Sequence, residues 1–513
     1  MHEPVPVVRD LDVLYTPGDL QSQKERWEIL TRRFSELYGS SPQFVARSPG
    51  RVNLIGEHID YSLYEVLPMA IAADVIIAVR KLSAAKVDMA NVNPSKFKSI
   101  SFPLPSSGEV EIDASTHEWT NYFKAGFKGA MELLRKKEPS FPPCGMQILV
   151  DGIVPAGGGL SSSAAFVCAS ALAVLRVNGQ EHVIKSELVE QAIVSERSVG
   201  VNSGGMDQSA SVFSIQGDAV SVSFSPKLHA EAIAFPKTDP PITFMIAQSF
   251  VAADKHVTGP ECYNLRVVEC TLAAEVMAAA LGLKLEDDHG PLGRSLRGFQ
   301  NAYYNGKKPL VDPGISPKEQ LETMLSLLTK LLSKIEGYTR QDIASALSIS
   351  VPKLEETYMT RFPVRTTYFQ LHKRAQHVFT EALRVIAFKE LLQSAPSADL
   401  LPRLGALMNE TQDSCRDVYN CSCPELDELC KIAREAGAHG SRLTGAGWGG
   451  CTVHLVPKEK VHHVKKAWED KYYAVKFPEM TKEKLEEVAA VVVSEPGHGS
   501  MVSVELFYRS FDP

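Results

Sequence analysis

The chain has 513 residues, 44% apolar and 22% charged, with 34 Gly and 31 Pro. That is the make-up of a folded protein of two to four domains, not of a disordered, fibrous or coiled-coil chain. Its 54 Lys and Arg against 61 Asp and Glu leave a net charge of −7 with no dense basic block, which disfavours a nucleic-acid partner.

The opening arm carries Pro4, Pro6 and Pro17 and reads as irregular. It lacks the basic end and long apolar run of a secretory signal. Trp27, Leu30, Phe34 and Leu37 recur at helical spacing and predict a helix over 21–38. A segment dense in charge, 46–71, comes next. The strongest apolar run, 69–79, is too short to span a bilayer and contains Asp74, so no membrane partner is expected. Strands are predicted over 75–80 and 146–154, and an Ala- and Leu-rich helix over 164–177 stops before Asn178-Gly179. A further strand is read over 219–225. Four prolines in 226–241 mark a candidate domain boundary. Beyond it, 242–248 reads as a strand, and helical patterns dominate at 265–281, 317–335, 367–392 and 424–436. Strand-like runs at 451–456, 488–493 and 501–507 close the chain. The interspersed elements imply an α+β fold in two lobes, 1–240 and 241–513.

The nine cysteines are sparse and odd in number, which fits reduced thiols and a cytoplasmic location. Cys415, Cys421, Cys423 and Cys430 lie close together, but no paired CxxC or His spacing accompanies them, so zinc is disfavoured. Asn409-Glu410-Thr411 and Asn420-Cys421-Ser422 fit the glycosylation pattern and, without a secretory signal, read as chance matches.

Three segments carry chemistry. Pro155-Ala156-Gly157-Gly158-Gly159-Leu160-Ser161-Ser162-Ser163-Ala164-Ala165 lies between a predicted strand and a predicted helix. Its glycines let backbone approach a ligand closely, and its serines and N–H groups sit at a helix start, where anions are favoured. A nucleotide polyphosphate is the natural guest. No Gly-Lys-Ser/Thr follows, so this is not a Walker loop. Gly50-Arg51-Val52-Asn53-Leu54-Ile55-Gly56-Glu57-His58-Ile59-Asp60-Tyr61 gathers donors and acceptors suited to a ligand with many hydroxyls, and Arg51 adds a fixed positive charge. Ser203-Gly204-Gly205-Met206-Asp207 places a carboxylate after a glycine turn, with Glu196 upstream. One carboxylate accepting a proton and another helping to hold Mg2+ would serve phosphoryl transfer. Taken alone, Asp207 reads better as a dipole partner at a helix start. Gly445, Gly447 and Gly450 satisfy G-x-G-x-x-G, but a strand-like run follows instead of a helix. The dinucleotide reading is therefore rejected for a tight loop packed against the active site.

Together these segments resemble the galactokinases, a branch of the small-molecule kinases named for galactose, homoserine, mevalonate and phosphomevalonate (GHMP). The 50–61 segment is similar to the signature of that branch, 155–165 to the superfamily's ATP loop, and 445–450 to its C-terminal glycine motif. Gly200-Val201-Asn202 and 263–269 look closest to the fungal members. The resemblance implies a two-lobed fold with the active site in the cleft, ATP and Mg2+ as cofactors, and phosphorylation of galactose at its C1 hydroxyl. It implies Asp207 as the base and Arg51 as the group that stabilises the transferring phosphoryl and keeps that aspartate ionised. It places Glu57, His58, Asp60, Gly204 and Tyr263 at the sugar. Gly157, Gly158, Gly159, Leu160, Ser161, Ser162 and Ser163 fall at the triphosphate, Trp119 near the adenine, and Ser163 and Glu196 beside Mg2+. Lys255 falls where some relatives have an active-site Arg. Ile59 stands where Thr is frequent. Three alternatives remain open: an N-acetylgalactosamine kinase, a galactose and ATP sensor that partners a transcriptional regulator, and a mevalonate-type kinase. The intact serine run speaks against the sensor, and Glu57 to Asp60 against the mevalonate type. A monomer is expected.

Overall fold

The computed structural model describes residues 3–104, 110–113, 118–199, 204–251, 258–305 and 314–504. Lys255 and the 200–203 stretch lie outside these residues, as does the end of the strand predicted over 501–507.

The first half supplies β1 (Val7–Val8), α1 (Leu20–Tyr38), β2 (Phe44–Ile55), β3 (Leu67–Leu82), β4 (Lys86–Asn91), β5 (Ile100–Pro103), α2 (Thr120–Lys137), β6 (Gly145–Gly152), α3 (Ser162–Val177), α4 (Lys185–Glu196) and α5 (Met206–Phe213). Then come β7 (Asp218–Ser223), β8 (His229–Ala234) and β9 (Ile242–Gln248), and near the end β10 (Gly440–Thr444), β11 (Cys451–Pro457), β12 (Val491–Ser494) and β13 (Met501–Ser503). A seven-stranded sheet runs β1-β13-β2-β3-β6-β4-β5, a four-stranded one runs β10-β11-β9-β12, and β7 pairs with β8.

The large sheet is covered on both faces. Val45, Ile76, Ala78 and Leu149 meet Trp27, Leu30 and Phe34 of α1 on one side. Ala46, Ile77, Val79 and Ile148 join the core built by α2 and α3 on the other. All twelve residues of β2 are buried, so a polar-out alternation is missing from its sequence. That strand also carries two arginines. Arg47 donates to Asp74 (2.5 Å), whose other oxygen takes a bond from Arg26 of α1 (2.6 Å) and whose Oδ2 accepts from Tyr15 (2.7 Å). Burial raises the Asp74 pKa, but the two guanidinium groups outweigh it and leave it lowered.

The small sheet is backed by Leu429, Ile432, Val464, Trp468 and Tyr472 from the Pro424–Glu435 helix and the segment after Val461. Between β9 and β10 the chain forms the Tyr263–Ala280, Pro317–Leu331, Leu371–Gln393 and Leu400–Asp417 helices, among others. Among the described residues no helix is long and apolar enough to cross a membrane.

Two expectations need amendment. The 226–241 segment is not merely a linker, because it contains β8. Its prolines flank the ladder and leave 229–234 free to pair. The strand near the C-terminus does not extend the second lobe's sheet: β13 pairs with β2 (Met501 with Arg47) and with β1. The chain end thus returns to the sheet in which it began.

Candidate active site

The register between β2 and β3 slips between Pro49 and Arg51. A Cβ on Gly50 would lie 2.7 Å from the Leu160 carbonyl oxygen and 2.8 Å from Val154, so only glycine admits the glycine-rich loop this close. The Arg51 amide then donates to Leu160 O (3.0 Å). The slip aims the Arg51 side chain at α5. Its Nε and Nη2 both reach Asp207 Oδ1, at 2.8 and 2.6 Å, and its Nη1 donates to Gly159 O (2.6 Å). One buried guanidinium therefore ties the acid to the glycine-rich loop. Asp207 stands in the first turn of α5, so the dipole reading and the catalytic reading describe the same position.

The two glycine segments seat on each other. A Cβ on Gly445 would fall 2.3 Å from Gly159 O, and one on Gly159 would fall 2.7 Å from Thr444 O. Gly445–Gly450 thus forms the wall expected of a tight loop, with β11 after it. Ser161, at φ 61°, ends the loop, and its side chain does not cap the first N–H groups of α3. Ser162 and Ser163 are half-buried in that first turn. Glu196, buried at the end of α4, accepts from Gln208 beside Asp207. The hydroxyl and carboxylate oxygens of Ser163 and Glu196 are hard donors suited to Mg2+. Trp119 stacks on Phe166 with ring centroids 6.0 Å apart and donates to Lys98 O (3.2 Å).

The 57–61 turn faces Asp207 from the other side. Gly204 packs onto it, since a Cβ there would sit 2.5 Å from Tyr61 N and 2.6 Å from Asp60 Cγ. The Met206 amide donates to Asp60 Oδ2 (3.4 Å). Burial pushes the Asp60 carboxyl up, and the neighbouring Asp207 adds to that push. Burial also raises the Tyr263 phenol well above its ordinary value, helped by Asp60, Asp207 and Glu57, so it remains a neutral donor facing carboxylates. The expected sugar residues are thus brought together around Asp207. Glu57 Oε2 is already engaged by Arg442 Nη2 (2.5 Å) and the Gly445 amide (3.1 Å). Its pKa is raised, because burial outweighs Arg442, His58 and Arg51. Both His58 ring nitrogens are also occupied, by Tyr61 Oη (2.9 Å) and Ala446 O (3.0 Å). Ile59 is wholly buried in the apolar core.

Several supporting residues were not legible beforehand. Glu381 Oε1 accepts from the Gly56 and Glu57 amides (2.8 and 3.1 Å). Burial opposes ionisation there, but the Arg384 and Arg442 guanidiniums hold the carboxyl down at about 2. His377 binds Glu57 O (3.0 Å) and Ser414 Oγ (2.8 Å), and burial pushes it down to about 3, so it is neutral. Glu381 shares its helix face with Arg374, His377 and Arg384, so in the sequence it looked like one more charge on a solvated face. Tyr419 gave no signal. Among the described residues no group of three His, Cys, Asp or Glu side chains is placed to hold a metal.

Comparison with known proteins agrees in order and position. Residues 32–81 match the galactokinase galactose-binding signature, 121–214 the GHMP kinases N terminal domain and 396–474 the GHMP kinases C terminal. The chain is 43% identical over 500 residues to a Saccharomyces cerevisiae galactokinase, covering 93% of this chain and 94% of that one. It is 39% identical to the Schizosaccharomyces pombe galactokinase, covering 97% and 98%. In fold it is similar to a galactose-complexed Lactococcus lactis galactokinase, with a TM-score of 0.64 at 24% identity over 93% of this chain and 99% of that one. A Methanococcus jannaschii mevalonate kinase follows at 0.50 and 18%, over 85% and 96%.

Proposed function

Because the chain belongs to the galactokinase family of GHMP kinases, we propose that it transfers the γ-phosphoryl group of ATP to the C1 hydroxyl of α-D-galactose, giving galactose 1-phosphate and ADP. The observation that carries this is the bridge Arg51 makes between Asp207 and Gly159. It sets a proton acceptor beside a phosphate-sized cradle.

Phosphoryl transfer needs alignment and charge compensation more than covalent chemistry. The Gly157–Ser163 loop and the open N–H groups of α3 hold the triphosphate, and Trp119 flanks the adenine. Asp60, Glu57, Tyr263 and the turn at His58 and Gly204 hold the sugar with its C1 hydroxyl toward Asp207. Asp207 takes the hydroxyl proton as the oxygen attacks the γ-phosphorus and the bond to ADP breaks. Once Asp207 is neutral, the Arg51 charge it had balanced is released to the transferring phosphoryl. Mg2+, held by Ser163 and Glu196, would neutralise the phosphate oxygens when bound. The net charge of −7 repels ATP, so these local groups must supply the attraction.

The lobes are proposed to divide near residue 240, with β13 assigned to the first, and the site lies between them. We place the enzyme in the cytoplasm as a monomer.

A coupled ADP-release assay over a panel of hexoses tests the reading. Galactose should turn over faster than N-acetylgalactosamine. The Asp207→Asn variant should lose about 10²- to 10⁴-fold in kcat. Normal turnover by a folded Asp207→Asn protein would show that Asp207 is not the base.

A further inference from the structure

His58 would be counted as a sugar ligand on its sequence position, yet its ring has no nitrogen to spare. The Ala446 carbonyl can only accept, so His58 Nε2 carries a proton and donates to it at 3.0 Å. His58 Nδ1 meets Tyr61 Oη at 2.9 Å. The same phenol oxygen lies 2.5 Å from Tyr419 Oη, which lies 3.3 Å from Cys270 Sγ. Tyr61 therefore spends its hydroxyl between two internal partners. The imidazole is also walled in by Tyr61, Tyr263, Tyr419 and Trp448, with ring centroids 5.1 to 5.8 Å away.

The far end of this chain is anchored. Arg266 and Arg374 each donate to the Tyr419 carbonyl (both 2.9 Å), and both pair with Glu269. The near end is the Gly445–Gly450 loop, whose backbone sits on Gly158 and Gly159 of the phosphate loop. We propose that Tyr419, Tyr61 and His58 form a positioning relay, in which the His58 side chain does not bind the sugar but locks the sugar turn to the late glycine loop. Displacing the relay shifts the sugar turn and the phosphate loop together, so binding of sugar and nucleotide is coupled through it. This rests on the galactose and ATP reading given above, and it assigns His58 a side-chain role different from that of its neighbours Asp60 and Glu57.

The experiment uses the full chain and three variants, Tyr61→Phe, Tyr419→Phe and His58→Gln, with galactose and its 2-, 3-, 4- and 6-deoxy analogues. The conservative Tyr→Phe pair guards against a His58 variant that fails to fold. Tyr61→Phe leaves a buried Nδ1 without its partner, and a loss of that kind is worth roughly 5- to 100-fold in affinity. The expected result is a KM for galactose raised by such a factor, kcat within about twofold, and an ATP dissociation constant raised as well; a loss of bulk stability alone would not split KM from kcat in this way. For His58→Gln, the rise should be the same with galactose and with every deoxy sugar. A rise that vanishes with one deoxy sugar would identify a direct contact to the missing hydroxyl and overturn the proposal. Unchanged KM in both Tyr→Phe variants would overturn it too. Wild-type protein that binds ATP but never phosphorylates galactose would defeat the sugar reading instead. The relay is then decided by ATP binding alone: weaker in Tyr61→Phe supports it, unchanged refutes it.

Discussion

Individual side chains at this site act through contacts too close to permit substitution. Gly204 is one case. In Gly204→Ala the new methyl meets Tyr61 N and Asp60 backbone at about the distances given above, and backbone cannot yield as a side chain end can. The variant should lose about 1–3 kcal/mol of stability, read by urea denaturation, with a higher KM for galactose. Glu381 is another. In Glu381→Gln, the charge that receives the Gly56 and Glu57 amides is gone, which should cost about 1–3 kcal/mol at pH 7. The sign with pH follows from its lowered pKa. The carboxylate's contribution is complete above its ordinary value of 4.5 and is lost as pH falls toward about 2. Denaturation curves of wild type and variant should therefore converge over that range, and a gap that stays constant would count against the assignment. The residues proposed to meet the ligand could be read beforehand, since Arg51, Glu57, Asp60 and Asp207 are charges set in apolar or glycine-rich surroundings. The residues that brace them could not. Arg442 and Glu381 come to Glu57 from 385 and 324 residues away, and no local pattern announces such a partner.

At the scale of elements, legibility depended on how each one is buried. The α1 helix has one apolar stripe and was visible from spacing alone. The full twelve-residue length of β2 was not, because Pro49, Gly50 and two arginines look like a charged loop around a short apolar strand. β2 is an interior strand of the large sheet all the same, because Arg47 and Arg51 find carboxylates 27 and 156 residues away. That makes Asp74 the hinge pin of the first lobe. Asp74→Asn would leave Arg47 buried against a neutral group and Arg26 with Asp151 alone, and should cost about 3–5 kcal/mol. Hydrogen exchange should show α1 opening first, since Arg26 is its polar tie to the sheet. Retained protection in α1 would mean that Trp27, Leu30 and Phe34 hold it unaided.

At the scale of the whole molecule, two lobes could be inferred from composition and from the order of the motifs, but their interlacing could not. A three-residue strand at the far end of the chain has too little sequence to reveal its partner. It nevertheless sits between β1 and β2, and Arg47 donates to the His498 and Gly499 carbonyls just before it (3.0 and 3.1 Å). Removal of residues 495–513 should therefore weaken the first sheet more than the second. Exchange protection should fall in β1 and β2 while β9, β10 and β11 keep theirs. Equal loss in both sheets would mean that the lobes unfold as one unit.

The return of β13 also sets a schedule for biosynthesis. β13 must leave the ribosome before the first sheet can close, although its partner β2 is made early. A nascent chain should accordingly spend most of its synthesis with an open edge at β2. The parallel pairing of Val7 with Val502 sets the first and last described strands side by side. A circularly permuted gene that joins them and opens a surface loop elsewhere would let that sheet form early. It offers a direct way to ask whether late closure limits the yield of active protein.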